Sequence, residues 1–253
     1  MDIREIRFPN GNRAQAVIAP IGTRAIDLVP ALGLPQSQAL ILITGGASKM
    51  DEQIHANLLQ QLATGIAHFA ASLHALIIDG GTQAGMMALI GEGIARQPSK
   101  PTLLGVSPSG RITYPGKSKS VIEHKMSPLE PNHSHFVLVK ADEWGDETAT
   151  MYDLAKVLSE ERPSLAVLIN GGAIAKSEVL HNVRQRRPII VIQGSGRLAD
   201  EIANIRQEQP SSIADPALAE IITQGELHFF PLTSSIPELE QLAQQILSSN
   251  KKD

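Results

Sequence analysis

The chain has 253 residues, 42 % of them apolar and 19 % charged, with a formal net charge of −4, the balance of an ordinary globular domain. It contains no cysteine, which excludes disulfides, Cys-ligated zinc, iron–sulfur clusters and thiol nucleophiles. With one Trp, two Tyr, five Phe and no long basic run, it lacks the composition of a surface that tracks phosphates or stacks bases, so no nucleic-acid partner is expected.

The opening stretch "MDIREIRFPNGNR" is charged and has no apolar centre, so it does not read as a secretory signal. No apolar run approaches the roughly 18 residues needed to cross a bilayer. A cytoplasmic location and no membrane insertion are the expectation. "AQAVIA" (14–19) reads as a first strand, followed by "ALILIT" (39–44), "HALIID" (74–79), "TLLGVS" (102–107), "HFVLVK" (135–140), "LAVLIN" (165–170), "PIIVIQ" (188–193) and "LHFFPL" (227–232). These are mostly continuous apolar runs rather than strict alternations, as expected of strands covered on both faces.

Helical stretches lie between the runs, at 51–73, 85–96, 147–162, 173–186, 197–208 and 236–249. The segments 108–121 and 207–216 read as loops, and the tail from 246 to 253 as frayed. There is no internal repeat and no convincing linker. The strand–helix alternation predicts an α/β chain: a Rossmann-like, doubly wound, mostly parallel sheet with helices on both faces. We expect one domain over 1–253, with 1–37 as an N-terminal extension.

Four of the predicted strands end in small-residue turns: "TGGAS" (44–48), "DGGTQAG" (79–85), "NGGA" (170–173) and "GSGR" (194–197). In a parallel sheet these ends gather on one edge, where open α/β folds bind ligands. Glycine allows the backbone to approach a ligand closely, and free N–H groups at a helix start attract an anion. Gly171 and Gly172 belong to this set. None of the turns is a standard fingerprint, because "GGTQAG" lacks the G-x-G-x-x-G spacing and "GGASKM" lacks G-K-[ST].

With these turns in place, the chain resembles the SLOG superfamily and, within it, the LSDAT branch. That branch includes the cytosolic N-terminal region of melastatin-type TRP channels and free-standing bacterial relatives. The matching pieces are "ITGGAS" (43–48), "IIDGGTQAGMMALIGEGI" (77–94), "LLGVSPSGRI" (103–112), "LEPNHSHFVLVKADEWGDE" (129–147) and "PIIVIQGSGRLADEIA" (188–203). The resemblance implies a nucleotide ligand, ADP-ribose or an NAD-derived molecule, with no further cofactor required. Carried onto this chain it implies a pocket lined by Thr44, Gly45, Gly46, Ala47, Ser48, Gly80, Gly81, Thr82, Gly85, Gly194, Ser195, Gly196 and Arg197. Thr44, Ser48, Thr82 and Ser195 would supply hydroxyls, and Arg197 and Arg111 charge-assisted contacts to phosphate. A sensor of this kind implies an effector protein that reads ligand binding, and relatives that self-associate suggest a homodimer.

The more distant Lonely-guy relatives, which cleave nucleotides at the N-glycosidic bond, offer a second reading. The nearest stretch to their P-G-G-x-G-T-x-x-E pattern is "INGGAIAKSE" (169–178), in which Gly171-Gly172 match and Glu178 falls near the acid position. Asn170 stands for the proline, and Ile174 and Ala175 for the Gly-Thr pair. Asp79, Glu130, Glu143 and Glu147 are further carboxylates from which such chemistry could draw. Glu178 also has a plain reading as a solvated helix residue, and Glu147 as an acid at a helix start.

His133 and His135 in "PNHSH" are two residues apart, and along a strand they would share a face. No third ligand stands at a diagnostic spacing, so no metal site is expected. The pair, with Asn132, is expected to frame the pocket. Trp144 and Tyr114 are candidates to cover a base, or simply to pack.

Overall fold

The structure, a computed structural model, describes residues 1–45, 53–117 and 126–250, with the side chains of 53–55 also left aside. In chain order, β1 (Asp2–Arg7), β2 (Arg13–Pro20) and α1 (Ala25–Leu32) come first. Next are β3 (Leu40–Gly45), α2 (Gln53–Ser72), β4 (Leu76–Asp79), α3 (Gly85–Ala95) and β5 (Thr102–Pro108). An excursion carries two short strands, β6 (Ile112–Thr113) and β7 (Ser127–Pro128), before β8 (His135–Lys140) and α4 (Thr148–Leu158). The last part runs β9 (Ser164–Ile169), α5 (Ala173–Arg184), β10 (Ile189–Gln193), α6 (Arg197–Glu208), α7 (Pro216–Gln224), β11 (Leu227–Pro231) and α8 (Ile236–Ser249).

Among the described residues the main sheet has nine strands in the order β1-β2-β8-β5-β4-β3-β9-β10-β11. Every neighbouring pair is parallel except β1–β2. Strand side chains alternate between the two faces, and the buried clusters follow that alternation. Leu40 and Leu42 pack with Leu28, Leu154, Val179, Ile202 and Ile221, which places α1, α4, α5, α6 and α7 on one face. Ile41 and Ile43 pack with Leu59, Ile66, Ile90 and Leu239, which places α2, α3 and α8 on the other. A third cluster, including Ile6, Phe8, Ala16, Ile112, Leu129 and Phe136, closes the hairpin end. Each such large side chain taken out of water contributes roughly 1.5–3 kcal/mol.

This wiring creates the site. β3 and β9 are neighbours, yet the helices that follow them lie on opposite faces of the sheet. Their connections therefore diverge at the carboxyl edge and leave a crevice between them, the usual ligand position in open parallel sheets.

Several local features differ from the sequence-based expectation. Within 1–37, the strand read at 14–19 is β2, which pairs in parallel with β8, and an unexpected β1 pairs with it on the outer side. β1 has four charged residues among six and isoleucines three apart, so it shows neither the continuous apolar run nor the strict alternation of a strand. Asp215 caps α7 by accepting the N–H groups of Ala217 and Leu218, with Pro216 at the first helical position, so the loop expected over 207–216 ends in a helix start. At the other end, Ile246 and Leu247 are buried in the last turn of α8. Residues 246–249 are therefore packed helix rather than frayed tail, and 251–253 lie outside the described residues. Among the described residues, no helix is long and apolar enough to cross a membrane.

Candidate functional site

A cleft of about 470 Å³ opens at the carboxyl edge between the ends of β3, β4, β9 and β10. Its walls are largely apolar: Ile43, Met86, Met87, Trp144, Ala173 and Ile174. Trp144 and Ile174 are exposed, at 38 % and 39 %, and a Cβ at Gly145 would lie 3.7 Å from Ile174. Both side chains line the cleft and so offer it apolar surface of the kind that receives a flat ring.

The amino ends of two helices open into the cleft. α3 begins after Ala84 and α5 after Gly172, and no side chain caps either one. Among the described residues, the first-turn amides of α5, from Ala173 to Ala175, have no acceptor. Those of Gly85 to Met87 in α3 likewise have none. Uncapped amides and the helix dipole together give a local positive potential. Arg197 adds a cation: its guanidinium lies against Gly172, where an added Cβ would come within 2.6 Å of Nη2.

The four glycine turns are not equivalent. Gly45, Gly80, Thr82, Gly172 and Arg197 line the cleft. Gly194 and Gly196, however, donate their N–H groups to the Asp200 carboxylate at 2.6 and 3.1 Å. Ser195 Oγ donates to the Ile192 carbonyl (2.6 Å) and accepts the Asn170 N–H (2.7 Å). That turn's expected donors are used within the chain, and from it only the Arg197 side chain reaches the cleft. Gly81 is similarly committed, donating to Asp79 Oδ1 at 2.6 Å. Thr44 Oγ1 is buried and sits 3.1 Å from the Tyr152 hydroxyl, which also accepts from Asn182. Gly85 opens α3, and Gly171, at φ 100°, turns the chain into α5. Gly46, Ala47 and Ser48 lie outside the described residues.

The acidic side of the cleft is formed by Glu147 and Glu178. Burial pushes both carboxyls up, and Glu147 and Asp79 add to the effect on Glu178, which reaches about 8. Glu147 accepts the Gly145 N–H at 2.8 Å. At neutral pH Glu178 therefore largely keeps its proton and presents an O–H donor inside the cleft. The solvated-face reading of Glu178 is replaced by a half-buried position in the cleft wall. Ala175, Val179 and Asn182, buried on the same helix, are the signal that pointed there.

A raised carboxyl has a stability signature. Glu178 titrates at about 8 when folded against an ordinary value of 4.5. Between those values the folded chain binds more protons than the unfolded one, so stability falls as pH rises. Glu178→Gln removes that penalty. In urea titrations the variant is expected to match the wild type near pH 4.5 and to exceed it by roughly 2–4 kcal/mol at pH 8.5. Parallel pH curves for the two proteins would remove the assignment.

The "PNHSH" segment departs from expectation. Asn132 and His135 do not line the cleft. They lie on a separate hollow of about 270 Å³ with Asn12, Lys100 and Thr102. Asn132 donates to Glu130 Oε1 at 2.7 Å and accepts from Asn12 at 3.0 Å. His133 is a buried link, with Nε2 2.8 Å from Asp79 Oδ1 and Nδ1 2.8 Å from Glu130 Oε2. Burial opposes its charge, but the Asp79 charge and the bonds to Asp79 and Glu130 outweigh it and lift the imidazole to about 9. Arg111 pairs with Glu143 and does not line the cleft, and Tyr114 packs on the third cluster. Among the described residues, no group of three or more His, Asp or Glu is placed to hold a metal ion.

Comparison with known proteins agrees with this architecture. The chain is 26 % identical over 215 residues to the transient receptor potential cation channel subfamily M member 7 of Homo sapiens, covering 73 % of this chain and 11 % of the channel. It is 26 % identical over 206 residues to subfamily M member 2 of Mus musculus, covering 68 % of this chain and 14 % of that one. This chain thus spans only a small part of the channels it matches. The solved X-ray structure of TM1055, a structural genomics target, superposes with a TM-score of 0.54 at 16 % identity. That match covers 82 % of this chain and 99 % of TM1055, and it supports the α/β fold. Residues 38–239 match the prokaryotic LSDAT family, described as SLOG in TRPM, prokaryote, and the chain belongs to that family.

Proposed function

We propose that the cleft binds a phosphate-bearing nucleotide, with ADP-ribose or an NAD-derived molecule as the leading ligand, and that the protein is a cytoplasmic sensor read by an effector protein. The observation that carries this reading is the meeting of two uncapped helix amino ends with the Arg197 guanidinium. That combination suits phosphate oxygens. The apolar surface of Trp144 and Ile174 suits the base, and the protonated Glu178 can donate to a ribose hydroxyl.

Calorimetric titration of ADP-ribose, NAD and AMP tests it. Saturable binding is expected, with Arg197→Ala weakening it about 10- to 100-fold, as loss of a charge-assisted contact implies. The melting temperature should stay unchanged. Absence of binding for all three ligands would refute the reading.

Glu178 supports a second reading, hydrolysis of a nucleotide N-glycosidic bond. A carboxyl that holds its proton near neutrality, beside a second carboxyl, has the makings of an acid–base pair. Chromatography of the same mixtures separates the two. Released base, lost in Glu178→Gln, identifies a hydrolase, and intact ligand identifies a sensor.

A further inference from the structure

Six large apolar side chains are exposed among the described residues. Trp144 and Ile174 belong to the cleft. The other four are Met1 and Ile3 at the start of β1, Ile21 just after β2, and Ile26 in the first turn of α1. Exposed large apolar side chains on neighbouring elements mark a contact surface. It adjoins β1, the terminal strand of the sheet, and an edge strand offers unpaired N–H and C=O groups to another strand.

Hydrogen bonding fixes which groups of β1 are free. Phe8 donates its N–H to Asn12 across the hairpin at 2.9 Å. With the register Arg4↔Ala16 and Ile6↔Ala14, the amides of Asp2, Arg4 and Ile6 turn toward β2. Those of Ile3, Glu5 and Arg7 turn outward, because successive residues alternate.

We propose that β1 is a homodimerisation edge, on which two copies of this chain pair antiparallel about a two-fold axis through Ile3 and fuse their sheets. Isologous pairing of one strand with itself allows few registers. An axis at Asp2, Arg4 or Glu5 sets identical charges opposite each other, which is destabilising. An axis at Ile6 balances Glu5 against Arg7 but centres on a side chain already buried and leaves Met1 and Ile3 in water. The axis at Ile3 places Asp2 of each copy opposite Arg4 of the other. It covers Ile3 with its own symmetry mate and uses the outward amides of Ile3. Asp2 and Arg4 already pair within the strand at 2.6 Å, so dimerisation exchanges partners and strands no charge.

The test uses light scattering after size-exclusion chromatography, over a concentration series of the full chain. The wild type is expected at twice the monomer mass at high concentration. Arg4→Asp should raise the dissociation constant at least tenfold, and adding Asp2→Arg to it should restore the dimer. The chain has no cysteine, so Ile3→Cys gives a clean second readout. Hydrogen-bonded antiparallel partners lie about 5.5 Å apart at Cα, within disulfide range. Mild oxidation should therefore cross-link Ile3→Cys but not Glu5→Cys. A wild type that stays monomeric, or a dimer indifferent to the charge swap and not cross-linked through position 3, overturns the proposal.

Discussion

Replacing His133 with leucine is expected to cost about 3–5 kcal/mol of stability at pH 7, the usual penalty for removing one member of a buried charge cluster. The imidazole is fully enclosed, with both ring nitrogens bonded to carboxylates at 2.8 Å. Without it, Asp79 and Glu130 remain as buried carboxylates with no cation between them. The damage would spread to the cleft, because Asp79 also fixes the turn through the Gly81 N–H. Leucine also loses the ring that stacks on Phe136 at a centroid distance of 5.4 Å.

The same group predicts a pH dependence in the wild type. His133 rises from an ordinary 6.5 to about 9 in the fold. Its contribution is complete below pH 6.5 and is lost as pH climbs through about 9, since across that window the folded chain holds the extra proton. Glu178 acts in the same direction, but only up to about 8. The slope of stability between pH 8 and 9.5 therefore reports mainly on His133. Urea denaturation over that range should show a decline in the wild type and a nearly flat line in His133→Leu. Equal slopes would show that the imidazole is neutral in the folded chain.

These two groups also show what could be read from the chain and what could not. The runs "ALILIT", "HALIID" and "PIIVIQ" announced buried parallel strands because continuous apolar residues leave few alternatives. Strand ends in glycine then pointed to the carboxyl edge of the sheet, where the cleft opens. The function of His133 was out of reach because its partner Asp79 lies 54 residues away. The same-face argument that tied it to His135 applies only inside a strand, and β8 begins at His135, so His133 sits in the preceding turn and points elsewhere. α1, inside the segment read as an N-terminal extension, contains Pro30, a residue that argues against a helix interior. α7 was legible in principle, because Asp215-Pro216 is a cap followed by a first-turn proline.

The glycine turns posed a subtler difficulty. Sequence places Gly81 and Gly196 on the same footing as Gly172, since all three follow strands. Only coordinates reveal which amides are already taken. Asp200, four to six residues beyond the turn it serves, consumes donors that looked available to a phosphate. The cleft's positive character comes instead from the bare ends of α3 and α5 and from Arg197. A Gly-Gly step can thus have its amide bonded within the chain at one strand end and line the cleft at the next.

A paired substitution makes that division measurable. Gly81 has φ 67°, and a Cβ there would lie 2.7 Å from the Gly105 Cα and 2.9 Å from the Phe136 ring. Backbone on one side and a buried ring on the other leave little room to yield. Gly81→Ala should cost about 2–4 kcal/mol, combining left-handed strain with overpacking, or roughly 5–15 °C in melting temperature. At Gly172 the φ is −124°, which any residue tolerates, and the contact within 3.0 Å is the mobile end of Arg197. Gly172→Ala should therefore leave stability within about 1 kcal/mol, as is usual where no named source of strain exists. It should nonetheless displace the guanidinium from the α5 amino end and weaken nucleotide binding about tenfold, the worth of one charge-assisted contact. Differential scanning calorimetry and titration on the two variants decide the matter. If Gly172→Ala melts as early as Gly81→Ala, or binds as tightly as the wild type, then Arg197 does not hold the phosphate from where it lies against Gly172.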